Sequence, residues 1–184
     1  MTIQFDVTDS HIITGAKIFR PSKFEEERGN IWTSYLATEI DNHLPSNLTF
    51  LHDKFSTSNF NVLRGIHGDE KTWKLATCVF GEILQVLVDL RQDSASFGKW
   101  EKIEIDRKSP ASVLIPPGVG NAYYVKSENA VYHYKLAYDG AYLDAQDQFS
   151  VAWDDASIGI DWGPISPILS NRDKNAPSFK KYYT

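Results

Sequence analysis

The stretch "WKLATCVFGEILQVLVDL", residues 73–90, decides the fold. Two apolar runs rich in β-formers flank the turn pair Gly81-Glu82, which is the pattern of a β-hairpin. Period-two alternation puts Lys74, Ala76 and Cys78 on one face, with Trp73, Leu75 and Val79 on the other. The same rule applied to "AVYHYKLAY", residues 130–138, groups Tyr132, Tyr134, Leu136 and Tyr138 away from His133 and Lys135. Further strands are expected in "HIITGAKIF", "NIWTSYL", "LTFLHDKFS", "NVLRGIH", "WEKIEID", "SVLIPP" and "AYYVK". Breaks such as "EERG", "RKSP" and "PPGVGN" separate them. Many short strands with glycine and proline turns predict an all-β antiparallel sandwich or barrel. Only "ATEIDNHL" and "SNRDKNAPSFKK" read as helices, both short. There is no repeat or linker, so residues 1–184 are expected to form a single domain. An inner surface carrying Lys, His and Tyr is a lined pocket as well as a core.

The bulk composition narrows the function. A chain of 184 residues with 42% hydrophobic content is long and apolar enough to bury a core. Its net charge is −5 and its cations are scattered, which argues against nucleic acid as a partner. Cys78 is the only cysteine, so no intrachain disulfide forms, and it reads as a small buried side chain. "MTIQFDVTDS" has neither the basic start nor the apolar run of a signal peptide, and no segment reads as a membrane span. A cytoplasmic protein without a membrane partner is expected.

"NVLRGIHGDE", residues 61–70, raises the chemical question: Arg64 and His67 stand where a strand packs its core. No G-x-G-x-x-G or P-loop motif is present. A metal centre is one reading, since His67 is followed by Asp69 and Glu70, but the H-x-H pair common in metal-binding barrels is missing. No metal is expected. Acid–base chemistry fits better. A histidine base needs a partner to fix its tautomer, a tyrosine can return a proton from the other side, and a lysine can stabilise an enolate oxygen. His67, Tyr134 and Lys74 would make such a set.

At these residues the chain resembles the dTDP-4-dehydrorhamnose 3,5-epimerase family. The similarity runs in order through "FEEERGNIW", "VLRGIH", "GEILQVLVDLR", "SFGKW", "IPPGVGNAYYV", "YHYKLAY", "AWDDASIGIDW" and "PILSNRDKNAP". It implies a cupin-type jelly-roll barrel with short peripheral helices, a homodimer and a cofactor-independent epimerase of nucleotide-diphosphate sugars. Carried over by position, His67 corresponds to the base, Asp173 to the aspartate that orients it, Lys74 to the lysine near the keto oxygen, and Tyr134 to the acid. Arg28 and Arg64 correspond to diphosphate-binding arginines. Tyr138 is a further candidate for substrate binding.

The departures from the family pattern are as informative as the matches. Asn121 in "GVGNAYY" stands where the family usually has a histidine, and Gln85 in "GEILQVLVD" where it has an aspartate. Two amides can still bond to each other but carry no charge. His52 and Lys54 occupy positions that are usually Gln and Asn, Thr72 one that is commonly Gln, and "HGD" replaces "HYQ" or "HFQ". With the blocks "NVLRGIHGD" and "DAQDQFSVAW", these resemble the branch acting on GDP-linked 4-keto-heptoses in capsular polysaccharide biosynthesis. The expectation is therefore inversion of C3 and C5, or C3 alone, of GDP-4-keto-heptose, with GDP preferred over dTDP. The alternatives are a dTDP-4-keto-6-deoxyglucose 3,5-epimerase and a non-catalytic cupin that binds sugar nucleotides.

Overall fold

A computed structural model describes residues 2–182. Among these residues thirteen strands dominate. They are β1 (Phe5–Asp9), β2 (Lys17–Pro21), β3 (Lys23–Glu26), β4 (Gly29–Trp32), β5 (Phe50–Asn59), β6 (Leu63–Gly68) and β7 (Trp73–Phe80). β8 (Ile83–Asp89), β9 (Trp100–Ile105), β10 (Ser112–Ile115), β11 (Val119–Val125), β12 (Asn129–Ala137) and β13 (Phe149–Ser150) follow. Two short helices, α1 (Ala37–Ile40) and α2 (Asn171–Lys174), complete the set, each with a 3₁₀ turn nearby. Among the described residues no helix is long and apolar enough to cross a membrane.

A six-stranded sheet, β1-β2-β10-β7-β12-β5, faces a five-stranded sheet, β13-β6-β11-β8-β9. The pairings within both are antiparallel, giving the expected jelly-roll architecture. The hairpin alternation holds: Ala76 and Cys78 pack between the sheets with Ile83, Leu87 and Tyr132, whereas Leu75 and Trp73 face outward against Phe19, Ile40 and Leu44. The outer face of the five-stranded sheet is sealed by the C-terminal segment through Val151, Ile158, Trp162 and Phe179. Each such side chain, fully buried, contributes about 1.5–3 kcal/mol.

Some expected elements shrink. Within "HIITGAKIF" only Lys17–Phe19 is strand, because Ser10 accepts from the backbone N–H groups of Ile12 and Ile13 and holds the chain in a turn. "SNRDKNAPSFKK" splits into α2 and a 3₁₀ turn at Phe179–Tyr182, since Pro177 lacks the N–H needed to continue a single helix. In "NIWTSYL" the strand stops at Trp32.

The most consequential local feature is in β6. Arg64 and His67 are three residues apart, so a regular strand would point them to opposite faces. Here Arg64 pairs with Tyr123 and His67 with Asn121, so Gly65 and Ile66 together oppose Ala122 alone. This β-bulge resets the alternation and turns both side chains toward the inter-sheet space, while Leu63 and Ile66 face the outer core. Gly65 makes the bulge possible. Its φ is +123°, and a Cβ there would lie 2.5 Å from the Ala122 Cβ and 2.7 Å from the Asn121 carbonyl. We predict that Gly65→Ala destabilises the fold by about 3 kcal/mol or more, read as a lower urea midpoint. An unchanged midpoint would show that the strand tolerates a regular path.

Candidate active site

One end of the space between the sheets is open and forms a cavity of about 390 Å³. His67 enters from β6 and Asn121 and Tyr123 from β11; Lys74, Tyr134, Leu136 and Lys54 enter from the facing sheet; Ser170, Arg172 and Asp173 close the side from α2 and its cap. Four basic side chains, Lys54, Arg64, Lys74 and Arg172, line it against two carboxylates, Asp144 and Asp173. An acidic protein thus concentrates positive charge in one pocket, which favours an anionic ligand.

The centre of the site is a histidine–carboxylate pair. His67 Nε2 lies 2.5 Å from Asp173 Oδ1, and the aspartate is almost wholly buried. Ser170 caps α2: its hydroxyl oxygen accepts from the Asp173 backbone N–H and donates to Oδ2 at 2.9 Å. Burial pushes the Asp173 carboxyl up, but His67, Ser170 and Arg172 outweigh it and hold the group below the ordinary carboxylate range. With Nε2 engaged, Nδ1 is the ring nitrogen left without a hydrogen-bond partner among the described residues. No local pattern in the sequence signals the approach of α2 to β6.

Lys74 and Tyr134 stand on the wall opposite His67. Lys74 is only 8% exposed, and its Nζ lies 3.6 Å from Asp69 Oδ2. Burial pulls the Lys74 ammonium below its ordinary pKa and Arg172 adds to that, while Asp69 works in the other direction. Burial pushes the Tyr134 phenol up, with Tyr123 adding to it, against the opposing influence of Ser56, Arg64 and Lys54. Tyr134 is therefore protonated at neutral pH and able to donate.

The remaining expected site residues divide. Arg64 lines the cavity, and its Nε donates to Ser58 Oγ at 2.9 Å. Lys54 pairs across the sheet with Tyr134, donates to the Tyr142 hydroxyl at 2.7 Å and lies 3.8 Å from Asp144. Gln85 and Asn121 do bond, Nε2 donating to Oδ1 at 2.9 Å, and Asn121 also donates to the Tyr132 hydroxyl at 3.2 Å. Asn121 reaches the cavity wall, whereas Gln85 is completely buried behind it. His52 and Tyr138 bond to each other at 3.1 Å beside Tyr142 but do not line the cavity. The β12–β5 register slips after Leu136 and Tyr138 lies beyond the strand, so simple alternation failed there. Arg28 lies between β3 and β4, a hairpin that joins neither large sheet, and is 83% exposed beside Glu26. Sequence reasoning gave Asp69 only a candidate metal role and gave Arg172 and Ser170 none, because a helix-end arginine and a capping serine read as solvated groups.

The dTDP-4-dehydrorhamnose 3,5-epimerase family profile matches residues 10–181. The dTDP-4-dehydrorhamnose 3,5-epimerase of Salmonella typhimurium is 34% identical over 165 residues, covering 87% of this chain and 88% of its own. That of Methanothermobacter thermautotrophicus is 31% identical over 170 residues, covering 89% of each. Among solved structures, the Legionella pneumophila dTDP-6-deoxy-D-glucose-3,5-epimerase in complex with dTDP-4-keto-L-rhamnose superposes with a TM-score of 0.85 at 29% identity, over 96% of this chain and 94% of its own. A 4-keto-6-deoxy sugar epimerase from the novobiocin cluster of Streptomyces spheroides gives 0.88 at 27% identity, over 98% and 90%. By a profile match over nearly its whole length, and by relatives more than 30% identical, the chain belongs to the dTDP-4-dehydrorhamnose 3,5-epimerase family.

Proposed function

We propose that the protein is a cofactor-independent epimerase that inverts C3 and C5 of a dTDP-linked 4-keto-6-deoxy sugar. The observation that carries this reading is the His67–Asp173 pair facing Tyr134 and Lys74 across a cavity with surplus positive charge. The keto group at C4 acidifies the hydrogens at C3 and C5, because the carbanion delocalises as an enolate. His67 Nδ1 takes the proton, and Asp173 holds the ring and balances the imidazolium. The Lys74 ammonium offsets the oxyanion as it forms. Tyr134, or a water, returns a proton from the opposite face and inverts the centre. Arg64 holds the diphosphate, and Arg172 adds to the positive field. Base, acid and oxyanion stabilisation each supply about 10²–10⁴-fold, so they act together.

The nucleotide departs from the expectation. The GDP-heptose preference read from His52, Lys54, Thr72, "HGD" and the blocks around them finds no counterpart in the relatives, whose names carry dTDP sugars. The dTDP alternative is the better supported substrate class. The amide pair keeps its bearing on the sugar, because it leaves an uncharged patch where the family usually has a charged one. Arg28 enters the site only through a second copy of the chain. The β3–β4 hairpin that bears it exposes Phe24 and Ile31, as a homodimer arm would, and a dimer mass by light scattering is expected.

Proton NMR in D2O tests the reading, with dTDP-4-keto-6-deoxyglucose and GDP-linked 4-keto-heptose in parallel. Loss of the C3 and C5 proton signals from the dTDP sugar is expected. Exchange with the GDP sugar alone would return the assignment to heptoses, and exchange with neither would leave a binding protein.

A further inference from the structure

Lys74 raises a problem that its proposed role does not solve. An ammonium group taken almost wholly out of water is expensive to keep charged, and a neutral amine stabilises no oxyanion. The charged and titratable groups lining the cavity with it include Arg64 and His67 on β6, Tyr134 on β12, Lys54 on β5, Asp144, which lies 3.8 Å from Lys54, and Arg172 and Asp173 on α2. Across β10 it meets Ile115, which carries no charge. Asp173 is committed to His67 and Ser170, and the guanidinium of Arg172 is repulsive. Among the described residues the one carboxylate paired with Lys74 is Asp69, in the turn joining β6 to β7.

Asp69 is built into that turn by one half of its carboxylate. Oδ1 accepts from the backbone N–H of Thr72 at 2.6 Å and of Lys71 at 3.1 Å, and the Asp69 carbonyl accepts from Gly118 N–H at 2.8 Å. The other half is free of those duties. Oδ2 is buried, has no hydrogen-bond partner among the described residues, and lies 3.6 Å from Lys74 Nζ. The residue is 4% exposed, so the interaction is poorly screened by water. A carboxylate pinned at one oxygen and bare at the other, beside a buried ammonium, is a fixed counter-ion.

We infer that Asp69 is a positioning residue, the counter-ion that holds the Lys74 ammonium charged and aimed into the cavity. The inference rests on the proposed role of Lys74 for its catalytic meaning, but the ion pair stands apart from it. It also gives a function to the "HGD" sequence. A neutral side chain at this position could cap the same amides but could not balance Lys74.

Asp69→Asn separates the two roles. The amide oxygen still accepts from the Lys71 and Thr72 N–H groups, so the turn is kept, while the charge is removed. Lysine labelled with ¹³C at Cε in the full-length protein reports Lys74 directly by NMR, with Lys74→Met assigning its signal. The Lys74 signal is expected to titrate at lower pH in Asp69→Asn than in the parent, with the other lysines unmoved. Turnover above neutral pH is expected to fall about 10²-fold, with KM little changed and with recovery in Asp69→Glu. If Asp69→Asn does not fold, Asp69→Ser offers a hydroxyl oxygen to the same amides and is read in the same way. An unmoved Lys74 titration in a folded variant overturns the inference. A moved titration with unchanged turnover upholds the ion pair and removes Lys74 from the mechanism instead.

Discussion

His67→Gln is expected to slow deuterium wash-in at both C3 and C5 by about 10³-fold or more while the protein remains folded. His67 lines the cavity with its Nε2 tied to Asp173, so the ring is held with one nitrogen free and a carboxylate ready to balance the charge it acquires. A glutamine places its amide nitrogen close to where Nε2 lies and can donate to Asp173, so that carboxylate is not left bare. What it lacks is a basic nitrogen. Both positions should fail together, because each loses a proton to the same enolate-forming step. Wash-in persisting at one carbon only would mean that a second base serves that position. Persistence at both would remove His67 from the chemistry, and a water or Lys74 would then have to be the base. A thermal melt of the variant separates this loss from unfolding, since His67 is only half-buried and its removal empties no core volume.

What the sequence made legible follows from how regular each element is. From Trp73 to Cys78 and along β8 the alternation is regular, so it predicted the hairpin and the inward face of Ala76 and Cys78, whereas the Gln85–Asn121 contact was expected from the family resemblance. In β6 regularity fails at Gly65. Two-residue periodicity would have put Arg64 and His67 on opposite faces, and the family resemblance, not the period, paired them. A glycine inside a strand is the available signal for a bulge, but it does not say which way the strand resets. β1 and β13 were missed for another reason. β1 is an exposed edge strand with little apolar pattern, and β13 is two residues long, fixed by its pairing with Gly68 and His67 rather than by its own composition. The Asp69–Lys74 pair is beyond any local pattern, because burial of a turn aspartate is decided by what packs over the turn.

Asp173→Asn is expected to lower kcat by about 10³–10⁴-fold with KM nearly unchanged, a larger effect than so small a change of shape implies. Ser170 donates its hydroxyl proton to Oδ2 and accepts the backbone N–H of residue 173. The new amide satisfies that serine best by placing its oxygen there, which turns its NH2 toward His67 Nε2. An NH2 facing Nε2 requires a lone pair on that nitrogen, so the ring proton moves to Nδ1, the nitrogen needed as base. The variant also removes the charge that balances the imidazolium after proton abstraction. The dependence of stability on pH gives an independent reading. The Asp173 carboxyl is held below its ordinary 3.8, so its contribution is complete above that value and is lost as pH falls through the lower folded value. Asp173→Asn should therefore be less sensitive to acid than the parent, even as it loses activity at neutral pH. A variant that kept full wash-in but lost stability would show Asp173 to be a structural partner of Ser170 and α2, and would leave His67 to act without an orienting group. A variant that kept its stability and lost turnover would place the aspartate's main contribution in the reaction, through the tautomer and charge of His67.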